Sequence, residues 1–215
     1  MEKQRIIPYI DHTLLKQDAT WKQIQDLCTE GIDFRTASVC IPPGFVAQAA
    51  EYVQGRVPIC TVIGFPNGYQ TTAVKAFETM DAVKNGADEI DMVVPIGWIK
   101  EGRFDDIKEQ INAIKRACET CILKVIIETS LLTEGEKIAM CQVVSASDAQ
   151  FIKTSTGFAG GGATLADIEL FAAHVTNGTK IKAAGGIKSI ADAQAFLEAG
   201  ASRLGSSSLL AMLTK

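Results

Sequence analysis

The chain has 215 residues, of which 47% are hydrophobic and 21% are charged, and it contains 18 glycines and 6 prolines. This composition is typical of globular proteins and excludes a disordered or collagen-like chain. The 21 Lys and Arg residues are balanced by 25 Asp and Glu residues, so the net charge is −4. Because no Lys/Arg-rich block is present to neutralise phosphates, we predict no nucleic-acid partner.

The N-terminal segment, residues 1–10, carries charges and a proline and lacks the apolar core of a signal peptide. No apolar run reaches the roughly 18 residues needed to span a bilayer. We therefore predict a cytoplasmic protein with no membrane partner, whose six cysteines are reduced, buried thiols. Cys118 and Cys121 form a C-x-x-C pair, but a structural zinc site needs about four ligands. We expect no metal and no cofactor.

Eight short segments rich in β-branched and aliphatic residues recur along the chain. They span residues 8–11, 37–41, 58–63, 89–94, 122–127, 150–153, 180–184 and 202–205. Several of them, such as Thr61-Val62-Ile63, are continuously apolar. This pattern is typical of parallel strands that are covered on both faces.

Six segments between these strands have the periodicity of helices. They span residues 20–30, 71–85, 104–119, 133–145, 164–174 and 189–199. Gly31, Gly86 and Gly200 each stand where a helix needs a left-handed residue after its last turn. Thr164 and Ser189 begin sequences that resemble capping boxes at helix starts.

The alternation of strand and helix continues to the end of the chain without a linker. Eight such units predict an α/β fold, a (β/α)₈ TIM barrel formed by a single catalytic domain over residues 1–215. A doubly wound open sheet is the structural alternative, because eight short strands could also lie flat. In both folds we expect the active site at the C-terminal ends of the strands.

Four charged residues lie in or at the ends of these strands, namely Asp11, Asp91, Lys153 and Lys182. In a barrel all four can converge on one mouth. A buried lysine is costly unless its ammonium is paired, and two neighbouring lysines lower the pKa of at least one of them. A pKa that falls from about 10.4 to about 7 gives roughly a thousandfold more nucleophilic amine. The lysine pair thus predicts Schiff-base chemistry on a carbonyl compound, with purely structural ion pairs as the alternative.

Glycine and hydroxyl residues follow the last three predicted strands. The segments are Thr154-Ser155-Thr156-Gly157 and Gly160-Gly161-Gly162, then Gly185-Gly186, then Gly205-Ser206-Ser207-Ser208. In this fold the loops after strands seven and eight commonly bind phosphate, and glycine lets backbone N–H groups approach the anion. For any single loop an ordinary tight turn is the alternative.

Five motifs closely resemble signature segments of the deoxyribose-phosphate aldolase family. They are YIDHTLL (residues 9–15), CTVIGFP (60–66), VIIET (125–129), FIKTSTGF (151–158) and KAAGG (182–186). The resemblance implies a metal-independent class I aldolase in which Lys153 forms the Schiff base and Lys182 lowers its pKa. It also implies that Asp91 joins Lys182 in proton transfer and that Asp11 belongs to a supporting relay.

By the same resemblance, Gly185, Gly186, Ser206 and Ser207 contact the substrate phosphate, and we place Thr156 with them. The implied reaction is reversible cleavage of 2-deoxy-D-ribose 5-phosphate to acetaldehyde and D-glyceraldehyde 3-phosphate, by a chain compatible with a homo-oligomer. The residues alone indicate an imine-forming enzyme that acts on a small phosphorylated carbonyl compound. Another Schiff-base aldolase, a phosphosugar isomerase and a non-catalytic sugar-phosphate-binding protein remain the alternatives.

Several positions depart from the family patterns and leave substrate tolerance open. They are Pro42-Pro43, Asn67-Gly68-Tyr69, Trp98, Ser130 and the C-terminal Leu213-Thr214-Lys215, which lacks a terminal tyrosine. Other polar residues have two readings each. Lys75, Lys124 and Glu128 fit either an interior ionic network or the barrel floor, where their role can be purely structural. Cys40 fits either an inert buried thiol or a thiol at the mouth. The two histidines, His12 and His174, are too few for a metal aldolase.

Overall fold

The computed structural model describes residues 3–214, so residues 1, 2 and 215 of the predicted domain lie outside the described residues. In this part of the chain, eight parallel strands close into a barrel in sequence order, and β1 pairs with both β2 and β8. The strands are β1 (Ile10–Thr13), β2 (Ser38–Ile41), β3 (Ile59–Ile63), β4 (Glu89–Val93), β5 (Ile122–Ile126), β6 (Phe151–Lys153), β7 (Lys180–Ala184) and β8 (Arg203–Ser206). Closure confirms the (β/α)₈ barrel and excludes the doubly wound sheet, which has two open edges.

Helices cover the outside of the barrel. They are α1 (Trp21–Phe34), α2 (Val46–Val53), α3 (Thr72–Lys84), α4 (Ile96–Lys100), α5 (Phe104–Ala117), α6 (Glu134–Ser145), α7 (Leu165–His174), α8 (Ile190–Glu198) and α9 (Leu209–Thr214). The sequence pattern missed α2, α4 and α9, because eight residues or fewer give too few turns for the period to stand out. Within residues 3–214, none of the helices combines the length and the apolar character needed to cross a membrane.

The two faces of the strands have different chemistry. On β4, Ile90 and Met92 belong to the main apolar core, whereas Glu89 and Asp91 make ion pairs with Lys124. Successive side chains on a strand point to opposite faces, so one set packs under the helices and the other fills the barrel. The barrel interior therefore holds buried charges that must be paired with one another.

Two of the predicted helix ends are confirmed and one is wrong. Gly86 and Gly200 are left-handed, with φ of 103° and 116°. Gly31, by contrast, lies inside α1, which continues to Phe34 and ends at the left-handed Arg35. A Cβ at Gly31 would lie 2.5 Å from Val39 Cγ1, so this glycine serves close packing of α1 against β2.

The first strand lies two residues later than predicted. Pro8 belongs to a 3₁₀ turn over Ile7–Tyr9, and β1 begins at Ile10. A proline has no N–H to donate to a strand ladder, which favours the turn. Asp11 is consequently the second residue of β1 and not its last residue.

Candidate active site

The carboxylate of Asp91 lies at the centre of the charged interior. Its Oδ2 accepts hydrogen bonds from Lys153 Nζ at 2.7 Å and from Lys182 Nζ at 2.6 Å. Its Oδ1 accepts from Lys124 Nζ at 2.8 Å and from Cys60 Sγ at 3.2 Å. Burial opposes ionisation, but the three ammonium groups outweigh burial and hold the pKa of Asp91 well below its usual range. Asp91 is therefore a fixed anion that gathers the two predicted active-site lysines.

Lys153 and Lys182 differ in their surroundings although they are direct partners across β6 and β7. Lys153 ends β6, is 3% exposed and lines an open cavity. Lys182 lies within β7, is fully buried and forms ion pairs with both Asp91 and Asp11. Burial disfavours its ammonium, but the two carboxylates outweigh burial and hold the pKa of Lys182 above its ordinary value. Lys182 is thus an enclosed cation, and Lys153 carries the amine that faces the cavity.

Asp11 connects this pair to the opposite side of the barrel. In addition to its ion pair with Lys182, its Oδ1 accepts hydrogen bonds from Arg203 at 2.6 Å and from Ser38 Oγ at 2.7 Å. Burial opposes its ionisation, but Lys182, Lys124 and Arg203 hold the pKa of Asp11 far below its usual range. All four charged residues predicted to converge are therefore in one network.

Two further members of this network, Arg203 and Glu89, were not predicted from the sequence. Arg203 bonds both Glu89 oxygens at 3.1 Å, and Lys124 pairs with Glu89 at 2.5 Å. Arg203 could have been predicted from the sequence, because an arginine in a buried strand needs a partner of opposite charge. Of the residues with two readings, Lys124 lies in this network. Lys75 instead donates to Gly68 O, Val93 O and Gln110 Oε1, away from the cavity.

A cavity of about 270 Å³ opens beside Lys153 and is lined by all five predicted phosphate residues, namely Thr156, Gly185, Gly186, Ser206 and Ser207. The two glycines have φ of 72° and 74°, which side-chain-bearing residues rarely adopt. A Cβ on Gly185 would also lie 3.1 Å from Gly162 Cα. Glycine is therefore required for this loop to pack against its neighbour at the cavity wall.

The hydroxyls of Ser206 and Thr156 are already bonded within the protein. Ser206 Oγ accepts from the backbone N–H groups of Ser208 at 3.2 Å and Leu209 at 3.1 Å. Thr156 Oγ1 donates to Glu128 Oε2 at 2.5 Å. In contrast, Ser207 is exposed to the cavity. Lys16, which no sequence pattern singled out, also lines the cavity.

Within residues 3–214, two groups of three residues could offer ligands to a metal ion. In each group, Cys40/Cys60/Asp91 and Asp11/Cys60/Glu89, the donor atoms lie within 4.8 Å of one another. Their carboxylates, however, already pair with lysine or arginine, and a cation would have to displace those amines. The donor set therefore fits an ionic network better than a metal centre.

The cysteines are all free and buried, as the sequence predicted. Cys40 is fully buried beside its strand partner Cys60, and the neighbouring Cys60 side chain lowers the pKa of the Cys40 thiol. In the C-x-x-C pair, Cys118 Sγ donates to Lys115 O and Cys121 Sγ donates to Ala87 O. Both thiols of that pair therefore have backbone partners.

Comparison with known proteins agrees with this geometry. The family model for DeoC/LacD family aldolases matches residues 5–215. A Clostridioides difficile deoxyribose-phosphate aldolase is 56% identical over 98% of this chain and 96% of its own length. A crystal structure from Coccidioides immitis has a TM-score of 0.96 at 41% identity, covering 100% of this chain and 86% of that one. The tetrameric deoxyribose phosphate aldolase of Aeropyrum pernix has a TM-score of 0.90 at 27% identity, covering 99% and 91%. The chain belongs to the DeoC/LacD family of aldolases.

Proposed function

We propose that this aldolase cleaves 2-deoxy-D-ribose 5-phosphate reversibly to acetaldehyde and D-glyceraldehyde 3-phosphate. The names of the Clostridioides and Aeropyrum relatives support this substrate. The observation that carries the proposal is the position of Lys153. Its amine stands at an open cavity, is bound to a carboxylate and lies directly beside a second, enclosed lysine. An amine placed in this way can reach a carbonyl carbon and form an imine.

Lys153, and not Lys182, is the proposed Schiff-base residue. Lys182 has no exposed surface and is held between two carboxylates that raise its pKa. In the resting enzyme it therefore holds its proton, and its nitrogen has no lone pair with which to attack a substrate carbonyl. Lys153 borders the cavity, so a substrate carbonyl can approach its amine without unfolding the barrel.

The reaction begins when Lys153 loses a proton and its Nζ attacks C1 of the open-chain sugar. The resulting carbinolamine loses water and becomes an iminium ion, which withdraws electrons. The C3 hydroxyl then gives its proton to the relay of Asp91 and Lys182 as the C2–C3 bond breaks, which releases glyceraldehyde 3-phosphate and leaves an enamine. The relay returns a proton to C2 of the enamine, and addition of water to the resulting iminium ion releases acetaldehyde and restores the amine.

Lys182 and Asp91 carry the proton transfers in this proposal, and Asp11 supports them. Lys182 and Lys153 contact the same Asp91 oxygen, so a proton can pass between the two amines through one atom. The ion pair of Asp11 with Lys182 keeps that second amine in place. The three residues are thus assigned to one short relay that ends at the nucleophile.

The phosphate is assigned to the loops after β7 and β8. Gly185 and Gly186 line the cavity with backbone groups, and Ser207 adds an exposed side-chain hydroxyl. Ser206 Oγ only accepts hydrogen bonds within the protein, so its O–H can still donate to a phosphate. Thr156 gives both its hydroxyl proton and its backbone N–H to Glu128, so it would line the phosphate site without donating to the anion. Such a cradle suits the terminal phosphate of a small sugar.

A borohydride trap tests this function. Reduction in the presence of deoxyribose 5-phosphate is expected to inactivate the protein and to leave the adduct on Lys153, located by mass spectrometry. Lys153→Leu is the matched control and is expected to give no adduct. Adduct on Lys182, or turnover without any adduct, would overturn the mechanism. Capture of a different sugar phosphate would indicate another Schiff-base aldolase, and binding without capture would indicate a non-catalytic protein.

We also infer that the chain forms a homo-oligomer. Val74, Phe77 and Met80 are exposed along α3, and Tyr69 is exposed just before it. Apolar patches of this kind commonly mark protein interfaces, and the Aeropyrum relative is a tetramer. Light scattering of the protein and of Phe77→Glu tests this inference, since the substitution is expected to lower the molecular mass. The six free thiols support a further inference, a reducing, cytoplasmic location.

A further inference from the structure

The cavity beside Lys153 has an uneven charge balance. Among the described residues, its lining includes two lysines, Lys153 and Lys16, and no Asp or Glu. In the proposed reaction Lys153 is bonded to the sugar. A phosphate monoester brings close to two negative charges at neutral pH, and backbone N–H groups carry only partial positive charge. Lys16 is the lining cation that remains to balance that anion.

Strand pairing places Lys16 beside the proposed phosphate loops. β1 pairs with β8, so that Asp11 lies opposite Gly205 and His12 opposite Ser206. The loop that follows β1 therefore emerges next to the loop that carries Ser207. This loop is anchored at its start by the bond from Leu14 N to Cys40 O at 2.9 Å and is turned by the bond from Ala19 N to Lys16 O at 3.1 Å.

Gly185 and Gly186 follow β7, the other neighbour of β8. The Ser207 loop thus stands between the double glycine on one side and Lys16 on the other. Both neighbours line the same cavity as Ser207, and a lysine side chain is long and flexible enough to approach an anion bound in that cavity.

Lys16 is also available for a ligand. It is exposed, and within residues 3–214 it makes no ion pair with a carboxylate. Other surface lysines do, such as Lys22 with Asp26 and Lys137 with Asp167. An ammonium without an internal partner at the edge of a cavity can bind an anion without first breaking a contact.

We propose that Lys16 binds the phosphate group of the substrate and sets the preference of the enzyme for phosphorylated over unphosphorylated sugars. The inference rests on the proposed function and adds to it a cation from the β1 loop. Lys16 is a binding residue in this proposal and takes no part in imine formation. A charge-assisted contact of this kind can change kcat/KM by about ten- to a hundredfold.

Lys16→Gln tests the proposal, with Lys16→Arg as the charge-preserving variant. Lys22→Gln is the matched control, because it removes the same charge from an exposed site on α1. For Lys16→Gln we expect kcat/KM for deoxyribose 5-phosphate to fall about ten- to a hundredfold and inhibition by inorganic phosphate to weaken. Unphosphorylated deoxyribose is expected to react within about twofold of wild type, and Lys16→Arg to retain most of the activity.

Equal losses for the two sugars, or no loss for either, would overturn the role of Lys16. Borohydride capture of acetaldehyde on Lys153 is measured in parallel, since that step needs no phosphate. Normal capture with an unchanged sugar preference refutes the Lys16 proposal alone. Failure of capture in the wild-type protein refutes the proposed function instead.

Discussion

Lys153 and Lys182 are partners across neighbouring strands, and their amines contact a single oxygen atom, Oδ2 of Asp91. Two ammonium groups this close repel each other, so the shared carboxylate is what allows both to be buried. From the sequence, repulsion between the two lysines and their partial burial were expected to lower the pKa of one of them. The structure adds an anion between the two amines, so the charge of Lys182 and that of Asp91 act on Lys153 in opposite directions.

Replacing Lys182 tests how strongly its charge affects Lys153. Lys182→Leu removes the repulsive cation, so the acidic limb of the kcat/KM profile is expected to move to higher pH. The curve as a whole is expected to fall because the proton relay is broken. Lys182→Arg keeps the positive charge and is the control, because it is expected to leave the acidic limb of the kcat/KM profile at its wild-type pH. A limb that stays fixed in Lys182→Leu would mean that Lys182 moves protons without tuning the nucleophile.

The phosphate loops are tested by placing a negative charge at Ser207. Ser207→Glu is expected to repel a phosphorylated substrate and to lower its kcat/KM by about ten- to a hundredfold, while the carbonyl chemistry persists. Steady-state kinetics with deoxyribose and with its 5-phosphate separate the two effects. If both sugars lose activity equally, the phosphate is bound elsewhere.

The ion pairs of Asp11 predict a specific dependence of stability on pH. Its folded-state pKa lies below the ordinary value of 3.8, so ionised Asp11 stabilises the fold above about pH 4 and this contribution is lost as the pH falls further. Asp11→Asn leaves the buried Lys182 and Arg203 with one carboxylate fewer. It is expected to lower the free energy of unfolding near pH 7 by about 3–5 kcal/mol.

Urea unfolding at pH 7, 5, 4 and 3 measures this effect. The gap between wild type and Asp11→Asn is expected to be largest near neutral pH and to narrow below pH 4. Asp18→Asn, at an exposed carboxylate, is the control and is expected to change stability little. A gap that widens with acidity would contradict the assigned direction of the Asp11 pKa.

Chelation tests the expectation that no metal is needed. Both three-ligand groups formed by the described residues use carboxylates that pair with amines. We therefore expect the aldol cleavage rate to survive exhaustive dialysis against EDTA. Loss of activity that a divalent cation restores would show that the chemistry runs through a metal.

The sequence by itself determined the alternation of strands and helices and identified four charged residues, Asp11, Asp91, Lys153 and Lys182, that meet in the barrel interior. Continuous apolar runs such as that in β3 mark strands buried on both faces. The glycines at 86 and 200 mark helix ends because only a residue without a side chain adopts their backbone angles freely. These features are local, so they can be read without knowledge of the fold.

The tertiary structure alone decided which partner each charge has. Arg203 meets Glu89 across 114 positions of sequence, and the Thr156 hydroxyl is bonded to Glu128. Gly31 is needed because Val39 of the neighbouring strand β2 leaves no room for a side chain, and not because a helix ends there. The choice between Lys153 and Lys182 has the same origin. The two amines are chemically equal, and strand register and depth in the barrel leave one facing the cavity and enclose the other between two carboxylates.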